Sequence, residues 1–273
     1  MIDWPNKVTV ITGAGSGIGQ AVTRHIAAKG GNIALVDVNE SGLEETLKSI
    51  VHCSGKFTTH IIDVTKEDQM KALPEVVISE HKQIDVLFNN AGITIDKTFE
   101  EHSIQDWQLI VGINVWGVIY GCHYFMPYLL QRPEAHIVTT SSLAGFVGFP
   151  KQSSYCLTKA AVRALNESLY AEYKHRNVHV TSVHPGAIQT NIFNVAVQHS
   201  NNPQASQKFF DSVKKFAMPA DKAAAIIVKA VEKRKQRVRV GKDAVLTDLI
   251  KRLIPVSFHK LLARLFAKQS KGK

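Results

Sequence analysis

The chain has 273 residues, 45% of them apolar, with three cysteines and a formal net charge of +10. That length allows one large domain that buries roughly three quarters of the unfolded chain's surface, and is short for two; Cys53, Cys122 and Cys156 form neither a C-x-x-C pair nor a Cys/His cluster at metal spacing, which argues against a disulfide scaffold or a metal site and suits a reduced cytoplasm. The charge is unevenly placed: from Lys229 onward fourteen Lys and Arg stand against three Asp and Glu, a local +11, so the first 228 residues sum to −1.

Residues 1–8 carry no apolar h-region, so a cleaved signal peptide is not expected and a cytoplasmic location is. Residues 8–11 are a β-branched run followed by Thr12-Gly13-Ala14-Gly15-Ser16-Gly17-Ile18-Gly19 and then a helical pattern, Ala21, Val22, His25, Ile26, Ala28. Strand, glycine turn and helix in that order suit a pyrophosphate: glycines allow close backbone approach, and the amides of the new helix supply donors and partial positive charge. Close helix–strand packing needs glycines too. The next strand, 32–36, ends at Asp37, eighteen residues past Gly19. A carboxylate there accepts from both ribose hydroxyls of an adenosine and repels a 2′-phosphate, which predicts NAD(H) over NADP(H). Val38 and Asn39 add no charge, and Ser16 stands where a basic residue would meet a phosphate. Asp37 also fits a helix N-cap or turn.

The alternation goes on with a helix over 40–50, a strand over 56–62 leading into Asp63-Val64, and a helix over 66–81 carrying Pro74. Residues 85–88 form an apolar strand ending in Asn89-Asn90-Ala91-Gly92. A long helical stretch, 104–130, contains Asn114; its apolar part, 116–130, is interrupted by His123 and Pro127, too short to span a bilayer, and reads as a buried helix. A strand over 136–140 enters Ser141-Ser142, a helix runs from about Tyr155 to Tyr173, and a strand over 178–183 ends in His184-Pro185-Gly186. Such alternation implies a parallel sheet covered on both faces, with the polar and glycine residues gathered at the strands' carboxyl ends, where open α/β sheets bind ligands.

Tyr155 and Lys159 are four residues apart, which on a helix sets both on one face about 5–6 Å apart at Cβ. A cation beside a phenol of pKa about 10 stabilises phenolate and brings proton exchange toward neutrality. Taken alone, the pair also fits an ordinary surface contact.

Thr12-Gly13-x-x-x-Gly17-Ile18-Gly19, Asp63, Asn89-Asn90-Ala91-Gly92, Asn114, Ser142, Tyr155-x-x-x-Lys159 and Pro185-Gly186 followed by Thr190, in this order and spacing, resemble the classical short-chain dehydrogenase/reductases over about residues 7–241. The extended branch of that family uses a Gly-x-x-Gly-x-x-Gly turn and a longer chain; neither is present. The resemblance implies a Rossmann-type, doubly wound parallel sheet of about seven strands with helices on both faces. It implies that Ser142 bonds the substrate oxygen, Tyr155 exchanges the proton, Lys159 binds the nicotinamide ribose and lowers the tyrosine pKa, and Asn114 holds a relay water. It further implies cofactor contacts from Gly13, Ser16, Gly17, Ile18, Gly19, Asp37, Asp63, Val64, Asn90, Ala91, Gly92, Tyr155, Lys159, Pro185, Gly186, Ile188 and Thr190, the last toward the carboxamide, and a homodimer or homotetramer.

Residues 187–218 read as a loose lid, with a turn at 201–204 flanked by Ile192-Phe193 and Phe209-Phe210. With Leu143, Phe146, Val147 and Phe149 they suggest an apolar pocket for a steroid-like, acyl or aromatic alcohol or ketone, bounded by Ser142, Leu143, Phe149, Tyr155 and Phe193; the same phenylalanines also fit a packed lid. After a last strand at 237–240, residues 242–273 form an extension of two basic amphipathic helices broken at Pro255: Leu246, Leu249, Ile250, Leu253 and Ile254, then Phe258, Leu261, Leu262, Leu265 and Phe266, interleaved with Lys251, Arg252, Lys260, Arg264 and Lys268. Such helices pack on a partner subunit or the lid, or lie on an anionic membrane as a peripheral contact; no nucleic-acid motif accompanies the charge. The whole predicts an NAD(H)-dependent oxidoreductase interconverting a secondary alcohol and a ketone. The competing class is a non-catalytic dinucleotide-binding protein held to a membrane or partner by its tail.

Overall fold

The computed structural model describes residues 2–271, and the side chains of the last helix as far as Arg264. Leu265, Phe266 and Lys268, named above for the second amphipathic face, lie outside the described side chains. In chain order the elements are β1 (Val8–Thr12), α1 (Gly17–Ala27), β2 (Asn32–Asp37), α2 (Glu40–Ile50), β3 (Phe57–Ile61), α3 (Glu67–His81), β4 (Val86–Asn89), α4 (Ile104–Val111), α5 (Gly117–Leu130), β5 (Ala135–Thr140), α6 (Ser153–Tyr173) and β6 (Val178–Pro185). There follow β7 (Ile188–Gln189), α7 (Ile192–Gln198), α8 (Pro203–Lys214), β8 (Met218–Pro219), α9 (Ala220–Glu232), β9 (Arg237–Val240), α10 (Lys242–Leu253) and α11 (Ser257–Lys271).

Seven strands form one sheet in the order β3-β2-β1-β4-β5-β6-β9, every neighbouring pair parallel. Period-two alternation divides its side chains between two cores. Ile11, Leu35, Phe88 and Val138 point to the side covered by α1, α2 and α9, where Ile26, Leu43 and Ile227 meet them. Val10, Val36, Leu87 and Ile137 point to the other side, against Leu73 of α3, Phe125 of α5 and Val162 of α6. Because both faces are covered, β1 is buried along all five residues and needs no polar side of its own. The strand order reverses between β1 and β4, and a crevice opens there at the carboxyl ends.

Three segments differ from the sequence reading. The stretch 104–130 is long and apolar enough to cross a membrane by composition, and its part 117–130 packs on the sheet through Val118, Cys122, Phe125 and Leu129, as a buried helix does. It is also broken: α4 passes into a π-helical turn, Gly112–Trp116, before α5. The segment 187–218 is more ordered than its turn-rich composition suggests. Its Asn201-Asn202-Pro203 signal is a helix start, with the Asn202 side chain accepting from the Ala205 amide at 3.1 Å. Lastly, α10 is turned so that Ala244 and Asp248 are buried and Leu246, Leu249 and Leu253 face solvent.

Candidate active site

The glycine turn after β1 holds its shape by backbone conformations that side chains resist. Gly13 and Gly17 have φ of 69° and 54°, and a Cβ on Gly13 would stand 2.9 Å from the Ala91 Cα. The turn thus lies directly against the end of β4 and delivers the N-terminus of α1, with its free amides and partial positive charge, to the crevice. Asn90 locks the two strand ends together: its Nδ2 donates to the carbonyls of Thr12 at 3.2 Å and Gly13 at 3.3 Å, while its Oδ1 accepts from Thr140 Oγ1 at 3.1 Å.

Asp37 ends β2 and lines the crevice. Its Oδ2 accepts from the Gly15 amide at 2.9 Å and its Oδ1 from the Asn39 amide at 3.0 Å, so the carboxylate braces the glycine turn. The cap of α2 is Asn39, not Asp37. Asp63, after β3, accepts from the amide and hydroxyl of Thr65 at 2.9 and 2.8 Å.

Tyr155 and Lys159 share a face of α6, with the Lys159 Nζ 5.7 Å from the tyrosine ring centroid. That ammonium is 3% exposed and donates to the Thr140 carbonyl at 2.9 Å. Burial pushes the Lys159 amine down to about 8 and the Tyr155 phenol up to about 12, the nearby Ser142 hydroxyl pulling the latter in the opposite direction by less. Desolvation, which disfavours both charged forms, sets the direction of both shifts in the cofactor-free site. Ser142 sits where β5 ends. Its Oγ accepts from the Ala144 amide at 3.1 Å, and its carbonyl meets His184 Nδ1 at 3.2 Å.

Asn114 is fully buried in the π-helical turn. Its Oδ1 accepts from the Ile93 amide at 2.9 Å, and its Nδ2 donates to the Ile93 carbonyl at 2.9 Å and to Thr158 Oγ1 at 3.0 Å. Asn114 thus joins the loop after β4 to the helix that carries Tyr155.

The crevice, about 430 Å³, is lined by Gly13, Ser16, Gly17, Ile18, Asp37, Asp63, Val64, Asn90, Ala91, Gly92, Ser142, Leu143, Phe149, Tyr155, Lys159, Pro185, Gly186, Ile188, Thr190 and Phe193. Two residues named from sequence are not in its lining. Gly19 lies behind the turn, where a Cβ would come within 2.0 Å of the Gly13 carbonyl oxygen, so its role is packing; Asn114 stands one layer back, its amide group consumed by Ile93 and Thr158. Phe146 and Val147 also turn away from the pocket. Phe146 stacks on His184 at 4.3 Å with the guanidinium groups of Arg163 and Arg237 over its ring, and Val147 is buried. Phe210, named with the lid, does line the crevice; sequence reasoning missed Thr94, Gln152 and Val195, which add to the wall. Phe193 and Phe210 stack at 5.2 Å while lining the cleft, so packing the lid and shaping the pocket are one role here. The lid is fastened by Ser206, whose hydroxyl donates to Asp96 of the loop after β4.

A nicotinamide dinucleotide fits these residues. The helix N-terminus and glycine turn suit its pyrophosphate and Asp37 its adenosine ribose. Gly92 leaves open the space between Asn114 and Lys159, since a Cβ there would stand 3.1 Å from Asn114 Oδ1 and 3.2 Å from Lys159 Nζ.

A seven-stranded parallel sheet with a glycine turn at its switch point and Ser, Tyr and Lys at the crevice defines a Rossmann-type oxidoreductase. The profile described as short chain dehydrogenase matches residues 7–201, and the chain belongs to that family. SadH of Mycobacterium tuberculosis is 34% identical over 271 residues, 98% of each chain. A cyclohexanol dehydrogenase of an Acinetobacter species is 34% identical over 186 residues, covering 68% of this chain and 74% of that one. Among solved structures, a short chain dehydrogenase/reductase from Burkholderia phymatum in complex with NAD superposes with a TM-score of 0.85 at 27% identity, over 93% of this chain and 95% of that one.

Proposed function

We propose that the protein is an NAD(H)-dependent oxidoreductase that interconverts a secondary alcohol and a ketone on a hydrophobic substrate. The observation that carries this reading is the convergence of Ser142, Tyr155 and Lys159 on a crevice whose lid side is apolar, with Leu143, Phe149, Phe193, Val195 and Phe210. The related cyclohexanol dehydrogenase and the NAD complex of the B. phymatum enzyme support the same substrate class and cofactor.

When bound, the nicotinamide ring accepts or supplies the hydride. In ketone reduction the Tyr155 phenol would give its proton to the substrate oxygen as the carbonyl carbon takes up the hydride; in alcohol oxidation the same oxygen, as phenolate, would take the proton back. The Ser142 hydroxyl steadies the oxygen on which charge builds. Lys159, protonated below about pH 8, places a positive charge beside the phenol and the ribose position. A phenol held up to about 12 is fully protonated at neutral pH, which suits it to donate in ketone reduction.

A panel of hydrophobic alcohols and ketones, followed by NADH absorbance, tests the activity. Tyr155→Phe should retain NADH binding while turnover falls by at least about 10²-fold, the scale of general acid–base catalysis. An active Tyr155→Phe enzyme would overturn the assignment. Asp37→Ala should narrow the preference for NADH over NADPH and loosen the glycine turn through loss of the Gly15 bond. Tighter binding of NADPH than NADH by the unmodified protein would contradict the Asp37 reading.

A further inference from the structure

Helix α10 meets the rest of the protein through a narrow, polar face and turns its apolar face outward. Its buried residues are Ala244 and Asp248, and Asp248 is held by Arg239 and Arg252, each at 3.0 Å. At 100° per residue, Val245, Leu246, Leu249 and Leu253 fall within an arc of about 100° away from that face. All four are exposed, Leu246 by 57% and Leu253 by 72%. The stripe continues past Pro255 with Val256, 68% exposed, and Leu261 on α11, while Phe258 is buried. A surface helix ordinarily presents this arc to a core; a contiguous apolar stripe left in water marks a contact with something else.

Its surroundings say what that is. Residues 242–273 contain eight Lys and Arg against two Asp. Both acids are paired within the protein: the buried Asp248 with its two arginines, and the exposed Asp243 with the Ala187 amide at 2.7 Å. Lys242, Lys260 and Arg264 are exposed along the same two helices. A second copy of the chain, docked on this stripe about a two-fold axis, would bring these cations against their own counterparts. An anionic bilayer offers an apolar floor for the leucines and a negative surface for the cations.

We propose that α10 and α11 form a docking element that lies in the interface of a membrane rich in anionic phospholipid. This goes beyond the redox reading and does not depend on it. Because Asp243, in the first turn of α10, bonds the first residue of the lid segment, docking would hold the lid end of the crevice close to the bilayer surface.

The test is cosedimentation of the full-length protein with vesicles of phosphatidylcholine alone or with about a third phosphatidylserine, an anionic lipid of the kind that attracts basic segments. Binding to the mixed vesicles should be at least about tenfold tighter than to phosphatidylcholine alone, and should weaken as salt screens the charges. The triple variant Leu246→Ser, Leu249→Ser, Leu253→Ser, on exposed positions, should keep the thermal transition of the parent and lose binding by at least about tenfold. Lys260→Glu with Arg264→Glu should lose it too. Protein that stays in the supernatant with both vesicle types at low salt would overturn the proposal, as would undiminished binding by the leucine variant. So would an oligomer that the leucine variant dissociates, which would assign the stripe to a second copy.

Discussion

His184 has no place in the crevice lining, yet it governs the residue that does. Its Nδ1 faces the Ser142 carbonyl at 3.2 Å and its Nε2 faces the Ser182 hydroxyl at 2.9 Å. Burial keeps the imidazole neutral, its pKa pushed down to about 4. A neutral ring carries one proton, and a carbonyl can only accept, so Nδ1 donates to Ser142 and Nε2 accepts from Ser182. Phe146 closes the other face of the ring by stacking at 4.3 Å. His184 is therefore a positioning residue, fixing the backbone from which the Ser142 hydroxyl projects. His184→Ala takes from the buried Ser182 hydroxyl its acceptor and from the Ser142 carbonyl one of its two donors, the Gly145 amide at 3.0 Å remaining, at a stability cost of about 1–3 kcal/mol. If positioning is its role, kcat should fall by about tenfold while the KM for the dinucleotide stays within about twofold, and His184→Asn, which restores a donor, should recover part of kcat. Steady-state kinetics on the two variants decide this; a stability loss with unchanged kcat would reduce His184 to a packing residue.

At the scale of elements, α5 is set by two glycines one turn apart. A Cβ on Gly117 would stand 2.8 Å from Val64 Cγ2, and one on Gly121 would stand 2.2 Å from Asn89 Oδ1, so the helix rests directly on the loop after β3 and the end of β4. Gly121→Ala would gain about 1 kcal/mol of helix propensity. It would also drive a methyl group into a buried amide that has little room to turn, and overpacking costs about 1–3 kcal/mol. The net expectation is a lower melting temperature, measured by thermal denaturation; an unchanged or raised value would mean that Asn89 yields freely. Legibility divides along similar lines. The strands are short apolar runs whose polar residues begin where they end, so Asp37, Asn90, Ser142 and Pro185 could be placed at one edge from sequence. The π-helical turn around Asn114 could not, because its partner Ile93 lies on another element and no local spacing announces it. Nor could Thr94 or Gln152, which reach the crevice from the loop after β4 and the segment before α6. For α10 the apolar stripe was visible but not its direction. That depends on Asp248 meeting Arg239 and Asp243 meeting Ala187, contacts between distant parts of the chain.

For the whole molecule, the buried ionisable groups set how stability follows pH. His136, at the start of β5, and His184, at the end of β6, are both pushed down to about 4 by burial, from about 6.5 in an unfolded chain. Between those values the unfolded chain binds protons that the folded one refuses, so stability is full above about pH 6.5 and is lost as pH falls toward 4, by up to about 3 kcal/mol for each group. Lys159 carries the same sign into the alkaline range. Its folded value of about 8 lies below the ordinary 10.5, so the cofactor-free protein should gain stability from about pH 8 to 10 as burying a charge ceases to be required. Burial of Cys122, held up to about 12 against 9, and of Cys156, raised in the same direction, opposes this from about pH 9, and Tyr155, at about 12 against 10, opposes it higher up, because in each case the unfolded chain ionises first. The net charge of +10 acts with Lys159, since self-repulsion weakens as pH approaches the pI of about 9.5. The cofactor-free protein should therefore melt lower at pH 5 than at pH 7.5, and between pH 7.5 and 9.5 the Lys159 gain and the thiol loss pull in opposite directions. Lys159→Met isolates the lysine: from pH 7.5 to 9.5 at constant ionic strength the melting temperature of the variant should fall relative to that of the parent, since the gain from the lysine is gone and the loss from the thiols stays. A difference between parent and variant that does not change over that range would mean that the lysine stays charged in the folded crevice.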